Sequence, residues 1–266
     1  MLKKLTLAIV IVTVSSLAFA QQRTQQEAAT SAPTTTTCSY SYSSGPSPTF
    51  TRYCLSANGN IVQFDSPSGF EFINAGVVHE GYGFCDFNGG PTAYYDYADV
   101  DSGNWGPTTV SAPNATTRKF VRTTSDGIWQ LTQTIKQGKA TATSPGSVSV
   151  TMTLKNLTAI NRTVYLLRAA DVDANGTTLD DEVDFTWNSA WGSDPGFSYG
   201  LGLTTNTFSF SHEGYTQSVY SGPDPCNFFA NLNSTPFVGD GSIGHIYAIT
   251  VPKGSTKTVK MTYKPI

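Results

Sequence analysis

The sequence predicts an all-β protein: a large antiparallel β-sandwich with long loops and few or no helices apart from a leader. Three observations carry this. Short runs of alternating apolar and polar residues are punctuated by Gly, Asn, Pro and Ser turns. No long helical period is present, and no repeat of roughly 20–50 residues. The composition is low in charge, at 13% DEKR, yet holds 24 glycines, 13 tyrosines and 15 phenylalanines, and aromatics with Thr suit pleated surfaces while Gly, Asn and Pro suit their turns.

In chain order, residues 1–20 read as a secretory signal peptide. Lys3 and Lys4 precede a short apolar run, Leu5 to Val14, and Ala18-Phe19-Ala20 is a small-x-small cleavage site, so the mature chain is expected to begin at Gln21. The run is too short to span a bilayer and no second stretch of spanning length follows. A secreted protein, extracellular or periplasmic and without a membrane span, is expected. Residues 21–37, rich in Gln, Thr, Ser and Ala, cannot bury enough apolar surface to order themselves and read as a disordered tether. Residues 38–266 are then a single sandwich domain, long enough to bury a sizeable core.

Within that domain Ser39 to Tyr42 and Thr49 to Cys54 alternate. Asn58-Gly59-Asn60 turns into Ile61 to Phe64, and Ser66-Pro67-Ser68-Gly69 precedes Phe70 to Ile73. Trp129, Leu131, Gln133 and Ile135 share one face. Val148, Val150, Met152 and Leu154 alternate with Ser149, Thr151, Thr153 and Lys155, the pattern of a half-buried strand. Thr163 to Ala170 is more continuously apolar and reads as a partner strand reached through Asn156-Leu157-Thr158, a helix from Asn161 being the alternative. Ile246 to Val251, the Pro252 to Ser255 turn, and Val259, Met261 and Tyr263 read as a closing hairpin.

Four cysteines in an exported chain predict two disulfides, for which three connectivities exist. Cys38 and Cys54 lie equally far on either side of Pro46, in a turn-forming stretch, so a hairpin there places them opposite one another. Cys85 with Cys226 follows by elimination. A thiolate metal site is disfavoured, since no Cys-x-x-Cys occurs and His79, His212 and His245 are distant in sequence. The formal charge of −3 moves to about −5 once Lys3 and Lys4 are removed. That mild acidity argues against nucleic acid or an anionic membrane as partner.

Asp171 to Glu182 has the one spacing that names a chemistry. Asp171, Asp173 and Asn175 alternate, Gly176 follows, and Glu182 comes after five more residues. Hard cations take six to eight oxygens, and short acids or amides at alternate positions before a turning glycine supply them. The segment resembles the EF-hand calcium loop. The resemblance implies side-chain oxygens from Asp171, Asp173 and Asn175, the carbonyl of Thr177, both oxygens of Glu182, and Ca2+ in a structural role. It covers these twelve residues only. Thr178 and Leu179 depart from the pattern and the flanks are not amphipathic helices, so related Asp-x-Asp-x-Asp-Gly loops between strands are the nearer likeness, with Asp180 or Asp181 able to replace Glu182. The competing use is an acidic solvated turn.

The segment from His79 to Trp105 mixes acids and aromatics. Glu80, Asp86, Asp96, Asp99 and Asp101 are the candidate catalytic carboxylates, because two carboxyls at the right separation cleave a glycosidic bond. Tyr94, Tyr95, Tyr97 and Trp105 are the candidates for stacking on sugar rings. Plain strand packing competes with both uses. Trp187 and Trp191 form a weaker aromatic pair, better suited to the core. No G-x-S-x-G, H-E-x-x-H or phosphate-cradling glycine loop occurs. The sequence thus favours an exported, disulfide-stapled, calcium-stiffened module that binds a glycan or a surface protein. The rivals are a carbohydrate-active enzyme built on the 80–101 carboxylates and a structural envelope domain without a ligand.

Overall fold

A computed structural model describes residues 37–73, 80–176, 181–196, 199–218, 224–227, 232–233 and 236–266. The leader, the tether up to residue 36, His79, Thr177 and Asp180 lie outside the described residues. The strands, in chain order, are β1 (Tyr40–Ser44), β2 (Thr51–Leu55), β3 (Ile61–Asp65), β4 (Glu80–Asp86), β5 (Thr92–Asp96) and β6 (Thr109–Asn114). There follow β7 (Thr117–Thr123), β8 (Trp129–Gly138), β9 (Ser147–Asn156), β10 (Arg162–Asp171), a single 3₁₀ turn (Ala174–Gly176), β11 (Glu182–Thr186) and β12 (Ser189–Asp194). The chain continues through β13 (Tyr199–Thr205), β14 (Ser211–Ser218), β15 (Leu232–Asn233), β16 (Phe237–Val238), β17 (Gly241–Val251) and β18 (Thr256–Pro265).

A six-stranded sheet, β15-β14-β17-β10-β4-β5, faces a nine-stranded sheet, β16-β11-β12-β13-β18-β9-β8-β7-β6, and β1-β2-β3 forms a small third sheet. All pairings are antiparallel, and the expected all-β sandwich is what the chain forms. The alternation read in the sequence is the reason. On β8 and β9, Leu131 lies opposite Leu154 and Ile135 opposite Val150, all buried. Val259, Met261 and Tyr263 extend that inner face, and Val164, Leu166, Tyr247 and Ile249 meet it from the six-stranded sheet. Each such side chain contributes about 1.5–3 kcal/mol on burial.

Two connections differ from expectation. β10 pairs with β4 and β17, not with β9, and β18 pairs with β9 and β13, not with β17. Both apparent hairpins are crossovers from one sheet to the other. Asn156, fully buried, holds them side by side. Its amide donates to the carbonyls of Ile160 (2.7 Å) and Val251 (3.1 Å), and its backbone N–H donates to Ser255 (3.0 Å). A turn signal after an alternating run looks the same whether the next strand pairs or crosses. β10 is continuously apolar because both its faces are covered: Val164, Leu166 and Ala170 point between the sheets, and Leu167 and Ala169 pack outside with Tyr97, Tyr215 and Ile246. Phe70 to Ile73 makes one bridge, Asp65 to Glu71, rather than a strand. The Glu71 carboxylate accepts the N–H groups of Phe64 and Ile73, which occupies donors that a ladder would use.

Both disulfides join the cysteines that the sequence paired, Cys38 with Cys54 (Cα–Cα 5.6 Å) and Cys85 with Cys226 (4.9 Å). The second closes 141 residues, worth about 4–5 kcal/mol in the chain-entropy picture. Two such bonds fit an oxidising environment. Among the described residues no helix is long and apolar enough to cross a membrane.

Candidate functional site

The acidic segment folds into β4, β5 and the turn after them, and its carboxylates point mostly between the sheets. Glu80 is fully buried and ion-paired with Arg168, whose Nε and Nη2 (2.8 Å) both donate to it; Ile61 N–H (2.7 Å) and the Tyr263 hydroxyl (2.9 Å) complete its shell. Asp86 accepts from Arg162 Nη1 at 2.5 Å and from the Trp129 indole at 2.9 Å. Asp96 accepts from Arg122 Nη1 at 2.5 Å and from the amides of Asn58 (2.9 Å) and Asn60 (3.0 Å). Asp101 shares Arg122 at 3.4 Å, and Asp99 lies half-buried in the turn after Tyr97. Burial pushes the Glu80 and Asp96 carboxyls up, and Arg168 and Arg122 pull them back. Hydrolytic carboxyls must face one substrate-sized cleft about 5–10 Å apart. Glu80, Asp86 and Asp96 instead each end on a guanidinium in the sandwich interior.

The stacking candidates divide between two faces. Tyr94 is buried, stacks on Phe84 (centroids 4.8 Å) and donates its hydroxyl to Asp126 (2.6 Å). Trp105 sits edge-on to Tyr82 and Phe84, under the Arg122 guanidinium at 5.0 Å. Tyr95 and Tyr97 turn to the outer face, where Tyr97 is buried against Leu167 and Tyr215. Three of the four are therefore packing residues, and only Tyr95 is half-exposed without lying in the main core.

A different set of rings meets solvent. Trp187, in the turn between β11 and β12, is 59% exposed, and Phe208, between β13 and β14, is 60% exposed. Their centroids are 5.7 Å apart, and His212 on β14 lies 5.3 Å from Trp187 and 5.6 Å from Phe208. The turn reaches this place because Gly214 leaves room: a Cβ there would meet the carbonyls of Thr186 and Ser189 at 2.4 Å. Thr205 N–H holds the Asn188 carbonyl at 2.9 Å. His212 Nδ1 is 2.8 Å from the Phe210 carbonyl, which can only accept, so Nδ1 carries the proton; Nε2 is buried and has no hydrogen-bond partner among the described residues. Beneath it lies His245, 5.5 Å away and fully buried, with neither ring nitrogen hydrogen-bonded among the described residues. Burial, with His212 adding to it, lowers its pKa to about 3, so it is neutral. The Tyr247 hydroxyl and Thr205 Oγ1, 2.6 Å apart, close the inner wall. Trp187 and Phe208 thus present two exposed ring faces, braced by the partly buried His212 ring, on which an apolar C–H surface can stack. The sequence reading gave Trp187 to the core and left Phe208, His212 and His245 unused. These residues come from three separate stretches, at 187, 208–212 and 245, and no spacing in the chain relates those stretches.

No family model matches this chain, and no curated protein matches it. Solved structures share its fold. A bacterial glucoamylase, solved with acarbose, superposes with a TM-score of 0.59 at 14% identity over 89% of this chain and 33% of that one. The present chain thus spans about a third of the glucoamylase. A putative aldose 1-epimerase from Escherichia coli K12 gives 0.50 at 9% identity, covering 85% and 99%. A galactose mutarotase-like protein from Lactobacillus casei ATCC 334 gives 0.50 at 10% identity, covering 85% and 100%.

The candidate cation ligands separate. Asp171 ends β10 and Asp173 follows it, both buried. One carboxylate oxygen of each lies within 4.8 Å of the other and of one from Asp240, just before β17. Asn175 sits in the 3₁₀ turn with φ 62°, a left-handed conformation that Asn tolerates. Glu182 is exposed on β11, paired with Ser193 and Val238, and is not part of the group. Asp181, the alternative closing acid, is fully buried; its Oδ1 accepts Ala174 N–H at 3.0 Å, and its charge acts on both Asp171 and Asp173. Asp240 enters from the far end of the sequence, beyond the reach of any loop motif.

Proposed function

We propose that the protein is an exported glycan-binding module of β-sandwich form, and that Trp187, Phe208 and His212 are its binding platform. The observation that carries this is the pairing of two of the most exposed large apolar side chains within 5.7 Å of each other, with the His212 ring packed against both. Isolated exposed rings are ordinary, but a contiguous exposed aromatic patch has the make-up of a recognition site. Export is supported by the leader-like first twenty residues and the two disulfides. The carbohydrate-related names among the structures of the same fold are compatible with a sugar ligand. The enzymatic alternative draws no support from Glu80, Asp86 and Asp96, which are ion-paired in the interior.

The test is affinity electrophoresis of the purified protein through gels containing soluble starch, galactan or other polysaccharides, with product release followed in parallel. Trp187→Ala is expected to weaken retention at least tenfold, about 1.4 kcal/mol. Phe87→Ala, which removes an exposed ring 4.8 Å from Tyr165 on another part of the surface, is expected to leave retention unchanged. Equal retention of the Trp187→Ala variant would move the site elsewhere, and released sugar would replace the binding reading with an enzymatic one.

A further inference from the structure

Asp171, Asp173 and Asp240 form a cluster that the other buried acids of this protein do not resemble. The first two are 3% and 1% exposed. Among the described residues, the charged groups acting on Asp171 are Asp240 and Asp181, and those acting on Asp173 are Asp171, Asp240, Asp181 and Glu71. All are carboxylates, drawn from the chain ahead of β4, from the end of β10, from the residue just before β11, and from the turn between β16 and β17. Among the described residues, neither Asp171 nor Asp173 forms an ion pair with Lys or Arg. Asp171 has one weak donor, the Ser242 hydroxyl at 3.4 Å. Asp173 Oδ2 is buried with no hydrogen-bond partner among the described residues. An uncompensated buried carboxylate costs several kcal/mol, and burial and the neighbouring acids both hold these two carboxyls well above the usual range.

We propose that Asp171, Asp173 and Asp240 bind a calcium ion that fastens the end of β10 to the start of β17. The three oxygens lie within 4.8 Å of one another, so a common centre lies no more than about 2.8 Å from each, close to the roughly 2.3–2.6 Å of calcium–oxygen bonds, and a small side-chain adjustment lets one ion reach all three. The donor set is oxygen only, which selects hard cations over zinc or copper. Asp181 and Glu71 supply further negative potential, and water can complete the six to eight oxygens calcium takes. The ligands differ from those of the twelve-residue loop pattern: two come from it, and the third comes from about 70 residues further along, beside the strand that pairs with β10 at Asp171 and Ser242. The site is independent of the glycan platform.

Isothermal titration of the chelator-treated protein with calcium chloride, beside a magnesium chloride arm, tests this. One ion per chain with Kd of roughly 10⁻⁴–10⁻³ M is expected, and Tm is expected to rise by about 5 °C at calcium well above Kd. Asp240→Asn, at a half-buried position, is expected to weaken calcium at least tenfold. Asp173→Asn is expected to abolish binding while raising the Tm of the calcium-free protein, because it removes a repelling charge. Glu182→Gln is expected to bind calcium as the parent does. No heat and no Tm shift in the parent would overturn the site. Loss of binding in Glu182→Gln with binding retained in Asp240→Asn would overturn the ligand set, and tighter magnesium binding would overturn the choice of ion.

Discussion

Glu80 on β4 and Asp173 after β10 are equally hidden from water, at 0% and 1% exposure, yet their surroundings are opposite. Glu80 meets Arg168 and two further donors, whereas among the described residues the charges that act on Asp173 are four carboxylates, of which Asp171 and Asp240 lie closest. Asp86 and Asp96 follow Glu80, each with its own guanidinium. The difference teaches that burial of an acid does not by itself indicate function. What matters is whether the chain supplies the compensating charge. Where it does, the acid is a fastening between sheets; where it does not, the compensation has to come from a proton or an ion.

The comparison is broken most severely by removing the internal cation. Arg168→Met leaves Glu80 buried and unpaired, and is expected to cost about 3–5 kcal/mol, read as a large fall in denaturation midpoint that calcium does not reverse. Adding Glu80→Leu to the same chain is expected to restore much of the loss, since an apolar pair of similar volume avoids desolvation altogether. If Arg168→Met alone proves neutral, the ion pair is not what holds Glu80.

His245 sharpens the contrast as a third case, a buried titratable group that stays neutral. Its folded pKa of about 3 lies below the ordinary imidazole value, so the unfolded chain takes up the proton first. Its contribution is fully present above pH ~6.5 and declines as pH falls toward 3, by up to about 1.4 kcal/mol per pH unit. Urea denaturation of His245→Phe between about pH 7 and 5 should show a flatter pH dependence than the parent, and an identical slope would place the proton elsewhere. The smallest effect belongs to the least buried of the three pairs made by Glu80, Asp86 and Asp96. Arg162, at 12% side-chain exposure, lies nearer water, and Arg162→Ala is expected to cost about 1–2 kcal/mol, leaving Asp86 its indole donor. A loss equal to that of Arg168→Met would show that depth does not grade these pairs.

The placement of the sites was legible only in part. Asp171 and Asp173 stood out because ligand spacing within one loop is a local property, while Asp240 was invisible because its proximity comes from strand pairing. The acids and rings of the 80–105 segment looked like a sugar site because sequence reports residue types and not the direction in which they point. On β4 and β5 the alternation sends Glu80, Tyr82, Tyr94 and Asp96 inward, and the matching arginines lie on β7 and β10. Trp187 looked like core because a ring near strand residues usually is; Gly214 and the β11–β12 turn carry it to the surface instead.

By itself the sequence determined the all-β character, the strands that alternate, and the Cys38–Cys54 pair, since side-chain period, turn chemistry and hairpin symmetry are properties of short stretches, and the second disulfide then followed by elimination. Tertiary structure alone decided which strands pair and which cross, which acids find an arginine, and which rings reach solvent. Those outcomes depend on contacts between residues far apart in the chain, where local preference is silent and the requirement that every buried charge and amide be matched selects the arrangement.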